Sequence, residues 1–231
     1  MDKKQYRHEL KFILSQGEAE LLKRKLSLLM DVDSNSINED NTYFIRSLYF
    51  DDDYNSAYYE KIDGLEKREK YRIRLYNLDS SFIRLERKEK NRDLTYKKQE
   101  KISVEDCHKF LNGDFEEIEL AKDGLLREFV LKQKLHHLKP SVIVDYKRLA
   151  FTFPVEDTRI TFDEDIRSGK FQYDLFDKDI LTFNVLEPGE VVLEVKFNNS
   201  IPSHLASVIK EIPTVRVAVS KFALCREKKE V

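Results

Sequence analysis

The chain has 231 residues, enough for one large domain or two small ones, and no stretch rich in Gly, Ser or Pro marks a linker. We therefore expect a single domain over residues 1–231. Lysine and arginine number 41 against 43 aspartates and glutamates, which gives a formal net charge of -2. This balance argues against a general nucleic-acid binder, where the whole domain tends to be basic.

The cysteine content and the N-terminus bear on the cellular compartment. Cys107 and Cys225 lie far apart and outside any CxxC motif, which predicts two small buried thiols in a reduced, cytoplasmic protein. The segment MDKKQYRHELKF lacks the apolar core of a signal peptide, and no apolar run reaches the ~20 residues of a membrane helix. We expect a soluble protein, which a partner would have to recruit if it works at a membrane.

The N-terminal part of the chain predicts two strands and two helices. A strand over about residues 5–13 places Arg7, Glu9 and Lys11 on one face. A capping box at Ser15 begins a helix, and apolar residues at helical spacing extend that helix to about Met30. TYFIRSLYFDD then predicts a strand, and YNSAYYEKIDG predicts a short helix that ends at a glycine.

The stretch from Lys70 to Lys101 predicts three consecutive strands, KYRIRLYN, SSFIRLERKEK and NRDLTYKKQEKIS, with turns at residues 77–80 and 91–93. Each strand has one apolar and one polar face, because side chains alternate with a period of two. The polar faces carry Arg72, Arg74, Arg84, Lys88, Lys97 and Lys101 against a single acid, Glu86. Like charges on neighbouring strands destabilise a sheet, so this face predicts a polyanionic ligand. The alternative is the ordinary solvated face of an antiparallel sheet.

After this meander the sequence predicts helices and then further strands. Ser103 caps a short helix, and EEIELAKDGLLREFVLKQKLHHL continues as helix with a break near Gly124. PSVIVDYKRLAF, TRITFDEDI and GEVVLEVKF predict strands, and Pro202 begins another short helix. The acidic segments SINEDN, DDDYN, DFEEIE and FDEDI are expected on the outside of the protein, where they favour solubility.

Charges recur at alternating positions of nearly every predicted strand, and Arg148, Arg159, Glu194 and Lys196 continue the series. An open sheet could not shield so many charges from solvent. The pattern therefore predicts an α+β fold, a closed antiparallel eight-stranded β-barrel tunnel with a charged interior and helices packed outside. The alternative, in which these cations only form salt bridges with Glu9, Glu86 and Glu194, stays open, although the cations outnumber those carboxylates.

Eight segments occur in order between Arg7 and Phe222: RHELKF, SLYFDD, KYRIRLYN, RLERKEK, VDYKRLAF, RITFD, LEVKF and SKF. Together they resemble the VTC-type polyphosphate polymerase domain, a branch of the triphosphate tunnel metalloenzyme (CYTH-like) superfamily. The resemblance implies a tunnel that binds triphosphate through inward Arg and Lys, with a divalent metal, Mn²⁺ or Mg²⁺. It also implies a phosphotransferase that moves the terminal phosphoryl group of ATP to a growing polyphosphate chain. ATP and inorganic polyphosphate, rather than nucleic acid, would be its partners.

The same resemblance implies roles for individual residues. The catalytic and phosphate-binding set is Lys11, Arg72, Arg74, Lys88, Arg148, Arg159 and Lys221, and Lys97, Lys101 and Lys196 are further substrate-binding residues. Face parity favours Lys97 or Lys101 over Lys98 as the tunnel lysine of that strand, because Ile102 should point into the core. Lys97 is preferred, although the sequence does not separate it from Lys101. Glu194 of LEVK is the implied metal ligand, with Glu9 and Glu86 as further candidates. Glu86 either orients Lys88 or helps to hold the metal.

The sequence departs from the wider superfamily at its first motif. Hydrolytic members begin with ExExK, whereas this chain has Arg7, Glu9 and Lys11. Loss of one carboxylate favours phosphoryl transfer over hydrolysis, and SKF in place of SKY removes only a phenol hydroxyl. No Walker A loop is present, so side-chain cations must bind the phosphates. Two alternatives remain: a metal-dependent inorganic, nucleoside or thiamine triphosphatase, and a non-catalytic polyphosphate-binding module.

Overall fold

The computed structural model describes residues 4–36, 38–115, 124–212 and 216–227. Within these ranges the strands are β1 (Arg7–Ser15), β2 (Asp31–Val32), β3 (Thr42–Asp51), β4 (Lys67–Tyr76), β5 (Asp79–Asn91), β6 (Leu94–Ile102), β7 (Lys139–Phe153), β8 (Thr158–Gly169), β9 (Phe183–Asn184) and β10 (Glu190–Phe197). The helices are α1 (Gln16–Leu26), α2 (Ser56–Ile62), α3 (Val104–Asn112), α4 (Leu125–His136), α5 (Ser203–Lys210) and α6 (Lys221–Glu227). The predicted helix before Gly124, over residues 116–123, lies outside the described residues.

Eight of these strands form a closed antiparallel ring. Their order is β7-β3-β4-β5-β6-β1-β10-β8, and pairing of β8 with β7 closes the circle. The two-residue strands β2 and β9 lie beside β7 and β8, outside the ring. The predicted fold, an eight-stranded antiparallel tunnel with helices packed outside, is confirmed.

Two hydrophobic clusters cover the outside of the ring. Helices α1 and α5 pack together against one side, where Leu22 and Leu205 meet apolar side chains of β1, β8 and β10. Helices α3 and α4 cover the opposite side, where Phe110 and Phe129 meet Ile73 and its neighbours on β3, β4 and β5. Because alternate residues of each strand supply these outer clusters, the remaining residues of the same strands face the interior.

A third cluster lies on the inner side of the ring and involves α6. Phe222 and Cys225 pack among inward-facing residues of β3 and β7, and the rings of Phe222 and Tyr49 are 5.1 Å apart. This helix therefore fills part of the interior with apolar side chains. Cys107 and Cys225 are both free and buried, as predicted.

The wall between β1 and β6 is completed by a segment from near the C-terminus. Two residue pairs join these strands, Arg7 with Thr95 and His8 with Leu94. Farther along β1 the backbone N–H of Val217 donates to the carbonyl oxygen of Lys11 at 2.9 Å. The segment before α6 thus replaces β6 as the neighbour of β1.

Local signals in the sequence explain where several elements begin and end. Ser15 and Ser103 both form complete capping boxes, with Glu18 and Asp106 respectively, as expected. Helix α1 ends at Leu26 instead of Met30, and a hydrogen-bonded turn follows in which Met30 is still buried. No helix among the described residues is long and apolar enough to span a lipid bilayer.

Candidate functional site

The ring encloses a cavity of about 1130 Å³, lined by side chains from all eight ring strands and from residues 216–222. Among the described residues that line it, sixteen are Lys or Arg and four are Asp or Glu. The whole chain, in contrast, has a formal net charge of -2. Positive charge is therefore concentrated inside the tunnel, where a low-dielectric wall strengthens the attraction of anions.

Most of the residues predicted from the sequence meet in this cavity. Lining residues include Glu9, Lys11, Arg72, Arg74, Lys88, Lys97, Arg148, Arg159, Glu194, Lys196 and Lys221. Glu86 lies on the inner face of β5 but is fully buried and does not line the cavity. Lys101 is exposed and does not line the cavity, and its Nζ lies 5.6 Å from the centre of the Phe82 ring. The catalytic and binding roles of these residues remain predictions.

Glu86 is held by three cations. Arg72 Nε donates to Glu86 Oε2 at 2.7 Å, Lys97 Nζ lies 3.3 Å from Oε1, and Arg74 Nη1 lies 3.9 Å from Oε2. Burial alone would raise the pKa of Glu86, but these three cations hold it well below its usual value. The carboxylate is therefore ionised and fixes the side chains around it.

The two arginines of this group are also bonded to hydroxyl groups. Arg72 Nη1 donates to the Tyr49 hydroxyl at 2.7 Å. Arg74 donates from Nε to Ser47 Oγ and from Nη2 to the Tyr146 hydroxyl, both at 3.0 Å. Several hydrogen bonds thus fix the orientation of each guanidinium group.

Lys88 contacts Glu9 rather than Glu86, so the expected Glu86–Lys88 pair is not formed. Lys88 Nζ donates to both carboxylate oxygens of Glu9 at 2.8 Å. The reason is the ring itself: Glu86 and Lys88 share the inner face of β5 but are two residues, about 7 Å, apart along it. The curvature of the wall brings the lysine across to β1 instead.

Glu9 and Glu194 lie on the neighbouring strands β1 and β10, and Lys11 bridges them. Lys11 Nζ is 3.1 Å from Glu9 Oε1 and 3.5 Å from Glu194 Oε1. Burial and the nearby negative charge of Glu194 raise the pKa of Glu9. The positive charges of Lys88, Lys11 and Lys196 outweigh both effects and lower this pKa. Glu194 is likewise kept ionised, because Lys196 and Lys11 outweigh the effect of burial on its pKa.

These two ionised carboxylates fit a hard divalent cation better than Glu86 does. Oxygen ligands suit Mg²⁺ and Mn²⁺, which in nucleotide sites take further oxygens from phosphate and water. In the described part of the chain, no three His, Cys, Asp or Glu side chains converge as a ready-made metal site. Glu9 and Glu194 line the cavity, whereas Glu86 is fully buried and does not line it.

Asp163 corrects the expectation that the FDEDI segment lies outside. Its side chain is fully buried in the tunnel, where Arg148 donates to both oxygens, at 2.6 and 2.7 Å, and Lys221 Nζ lies 2.5 Å away. The sequence did contain a sign that Asp163 faces inward, because it is an even number of positions from Arg159 and so lies on the same face of β8. Burial would raise the pKa of Asp163, but Arg148 and Lys221 lower it to about 2.

Arg159 lies near one mouth of the tunnel and is anchored there by a second acid that sequence reasoning missed. Its Nη1 is 2.6 Å from Asp33 Oδ2, and its Nη2 donates to the Tyr43 hydroxyl at 2.9 Å. Arg7, on the same inner face of β1 as Glu9, forms an ion pair with Asp157. The predicted cations therefore have more acidic partners than the three glutamates considered from the sequence.

Sequence reasoning also missed five cations of the lining: Lys61, Arg68, Lys70, Lys90 and Arg216. Three of them could have been found by alternation. Arg68 and Lys70 precede Arg72 at steps of two residues, and Lys90 follows Lys88 in the same way. Lys61 and Arg216 come from outside the ring strands, so alternation along those strands does not reveal them.

Fold and site together define a closed antiparallel tunnel protein with a cationic interior suited to anions. The sequence profile of the VTC domain family matches residues 6–228. The chain therefore belongs to the VTC domain family. No curated protein sequence matches it.

Comparison with solved structures finds similarity at low sequence identity. A candidate adenylyl cyclase from Hippeastrum, described as having a dominant triphosphatase activity, has a TM-score of 0.54 at 14% identity, over 98% of this chain and 97% of that one. A candidate adenylate cyclase from Bacillus halodurans has a TM-score of 0.49 at 16% identity, over 90% and 88%. The PH1819 protein from Pyrococcus horikoshii has a TM-score of 0.49 at 12% identity, over 96% and 99%.

Proposed function

We propose that this chain is an ATP-dependent polyphosphate polymerase, which transfers the terminal phosphoryl group of ATP to the end of a growing polyphosphate chain. The excess of cations inside the tunnel carries the proposal: sixteen Lys or Arg against four Asp or Glu among the described lining residues. Both substrates are linear and densely anionic, so a closed cationic tunnel suits them. Membership of the VTC domain family supports the same activity.

The described side chains can position phosphate groups without a phosphate-binding loop. Phosphoryl transfer needs in-line positioning and positive charge around the transferred group more than covalent participation by the protein. Arg72, Arg74 and Arg148 are each held by several hydrogen bonds or ion pairs, so their charges are in place before the reaction. Arginine forks bind phosphate oxygens in pairs, whereas lysines such as Lys11 act as point charges.

Glu9 and Glu194 are the residues that would hold a divalent metal, since both are ionised and lie on either side of Lys11. Bound Mg²⁺ or Mn²⁺ would neutralise charge on the phosphate oxygens. Arg7 forms an ion pair with Asp157 and adds no carboxylate to this set. A shortage of carboxylates to activate water favours transfer to a phosphate acceptor over hydrolysis.

A metal-dependent triphosphatase is the second candidate. The fold shared with the Hippeastrum protein, which is described as having a dominant triphosphatase activity, favours it. It would use the same tunnel and differ only in the acceptor, which would be water instead of polyphosphate.

Incubation of the purified protein with ATP and Mn²⁺ separates these activities. We expect long polymer on a gel together with ADP, and neither product after chelation of the metal. Release of free phosphate without polymer would contradict the proposal and support the triphosphatase. Binding of ATP without turnover would instead indicate a non-catalytic polyphosphate-binding module. Arg92→Gln, which removes an exposed charge outside the cavity, should retain activity and serves as the matched control.

A further inference from the structure

One mouth of the tunnel carries four cations, Lys61, Arg68, Lys70 and Lys90, which together are called the basic vestibule. We propose that the basic vestibule is a second anion-binding subsite, which holds the phosphate groups of a polyphosphate chain beyond the three bound at the centre of the tunnel. The inference rests on the proposed function, because it states where the polymer of that same site lies.

Strand register places the vestibule directly beyond the centre. On the inner faces of β4 and β5, Arg68 stands opposite Lys90 and Lys70 stands opposite Lys88. Successive inward positions on a strand are about 7 Å apart. Lys88 is bonded to Glu9 at the centre of the tunnel. The row of cations that begins at Lys88 therefore extends outward into the vestibule. A chain of phosphates extending from the centre would meet these pairs in turn.

Both of these cross-strand pairs are pairs of like charge, and such pairs destabilise a sheet. In the centre of the tunnel the carboxylates of Glu9, Glu86, Asp163 and Glu194 neutralise the cations. Within the described ranges, no carboxylate lies within 4.0 Å of the charged group of any vestibule residue. Arg68 donates to the carbonyl oxygen of Leu65, and Lys70 lies 3.4 Å from Ser220 Oγ. An anionic ligand would supply the missing compensation.

The vestibule cations also suppress one another's ionisation. Burial and then the charge of Arg68 lower the pKa of both Lys61 and Lys90. Burial and then the charges of Arg68, Lys11, Lys88 and Lys61 lower the pKa of Lys70 to about 6. A bound polyanion would reverse both the repulsion and these shifts, since it favours the charged forms.

The two mouths differ in their acids. Strand β4 runs from the vestibule to the opposite mouth, where Asp33 is paired with Arg159, Asp79 is a further acid of the lining, and Arg84 has only the neutral Gln99 as its partner. In the lining, Asp93 is bonded to Arg216 and Glu9 is bonded to Lys88, so neither acid pairs with a vestibule cation. Among the described residues, none of the four vestibule cations has a carboxylate partner, so the vestibule is the mouth with more uncompensated charge, and we expect the polymer to favour it.

The test compares ligands of different length. Isothermal titration would measure binding of tripolyphosphate and of long-chain polyphosphate to the unmodified chain and to the Arg68→Gln/Lys90→Gln double variant. We expect the double variant to bind the long chain at least about tenfold more weakly and tripolyphosphate within about twofold. Loss of two phosphate contacts should also reduce the slope of log affinity against log salt by roughly 1.5.

A matched control removes the same charge beside the same mouth. Lys67→Gln/Arg92→Gln alters two exposed residues of the same hairpin that do not line the cavity, and should leave both affinities unchanged. Because the vestibule substitutions relieve repulsion, the double variant should unfold at the same or a higher temperature than the unmodified chain.

Three outcomes would overturn the inference. The first is that the double variant loses equal affinity for both phosphate ligands. The second is that the vestibule and control variants have the same affinities. The third is that single-stranded DNA of similar charge binds as tightly as long-chain polyphosphate. If the unmodified chain binds tripolyphosphate but the double variant shows no selective loss of affinity for the long chain, the inference about the vestibule is wrong and the proposed function stands. If the unmodified chain binds neither phosphate ligand, both fail.

Discussion

Buried carboxylates determine how the cations at the centre of the tunnel are presented to a ligand. Glu9, Glu86, Asp163 and Glu194 are all ionised, since nearby Lys and Arg lower the pKa of each. An ion pair buried in this way contributes little net stability, because desolvation offsets the attraction. Its benefit is orientation: the cation is fixed where a phosphate oxygen can meet it.

Glu194 is the carboxylate expected to hold the metal, and replacing it with Gln tests that role. Glu194→Gln keeps the shape of the side chain but removes the charge, so metal-dependent turnover should fall by at least about a hundredfold. Binding of tripolyphosphate, measured by titration without metal, should remain measurable because Lys11 and Lys196 are still present.

Glu211→Gln is the matched control, since it removes an exposed carboxylate that pairs with Lys25 on the outside of the protein. Its turnover should equal that of the unmodified chain. Unchanged turnover in Glu194→Gln would remove Glu194 from the metal site.

The inward residues were predictable from the sequence wherever alternation marked one face of a strand. Arg72, Arg74, Lys88, Lys97, Arg148 and Arg159 all line the tunnel. Their partners were not predictable, because partners depend on register and on ring closure between distant strands. Lys88 could not be paired with Glu9 from the sequence, since the two residues are 79 positions apart.

At the scale of elements, one carboxylate joins three parts of the chain. Asp163 on β8 binds Arg148 of β7 and Lys221 of α6. The helix therefore attaches to the inner wall through a buried ion pair as well as through the apolar contacts of Phe222. Sequence reasoning assigned FDEDI to the surface from its charge alone, but Asp165 has a positive φ of 49° and the β7–β8 register shifts nearby. As a result, Asp163 is buried whereas Asp165 is exposed.

Replacement of Asp163 should destabilise the protein. Asp163→Asn leaves the buried charges of Arg148 and Lys221 without a counterion, so the free energy of unfolding should fall by about 3–5 kcal/mol. Denaturant unfolding followed by circular dichroism measures the change. Asp157→Asn removes an exposed acid that pairs with Arg7 and should alter stability by less than about 1 kcal/mol. A loss for Asp163→Asn no larger than for Asp157→Asn would contradict the proposed attachment.

The same substitution should change the response to acid. The pKa of Asp163 falls from an ordinary 3.8 to about 2 in the folded protein. The free energy of unfolding is therefore higher with Asp163 ionised than with it protonated, by about 2 kcal/mol; this difference is fully present above pH 3.8 and is lost as the pH falls through 2. Stability of the unmodified chain should therefore drop over that interval more steeply than stability of Asp163→Asn.

Across the whole molecule, positive charge is concentrated inside a chain that is slightly acidic in total. The fold was predictable at this scale because eight strands with alternating charges can shield them only by closing on themselves. The route of the chain around the ring was less predictable. Residues 216–219 complete the wall beside β1 although they belong to none of the ring strands.

Polyphosphate should stabilise the folded protein against heat. A ligand at a hundred times its Kd adds about 2.7 kcal/mol to the free energy of unfolding, which corresponds to roughly 5–10 °C in Tm for a protein of this size. The shift should shrink as salt is added, since salt screens the charges at the mouths. Differential scanning fluorimetry with long-chain polyphosphate, against orthophosphate at equal ionic strength, measures it. Equal shifts for the two ligands would argue against a chain-specific tunnel.

Pairing of β7 with β8 closes the ring, and this closure limits the routes by which a long molecule inside it can leave. A ligand in an open groove can detach sideways, all at once, whereas a threaded chain must slide out along its own length past every cation. Escape would then become slower with each unit added. For the proposed polymerase, such a topology favours many successive additions to one chain before release, so the products would comprise a few very long molecules beside unused substrate.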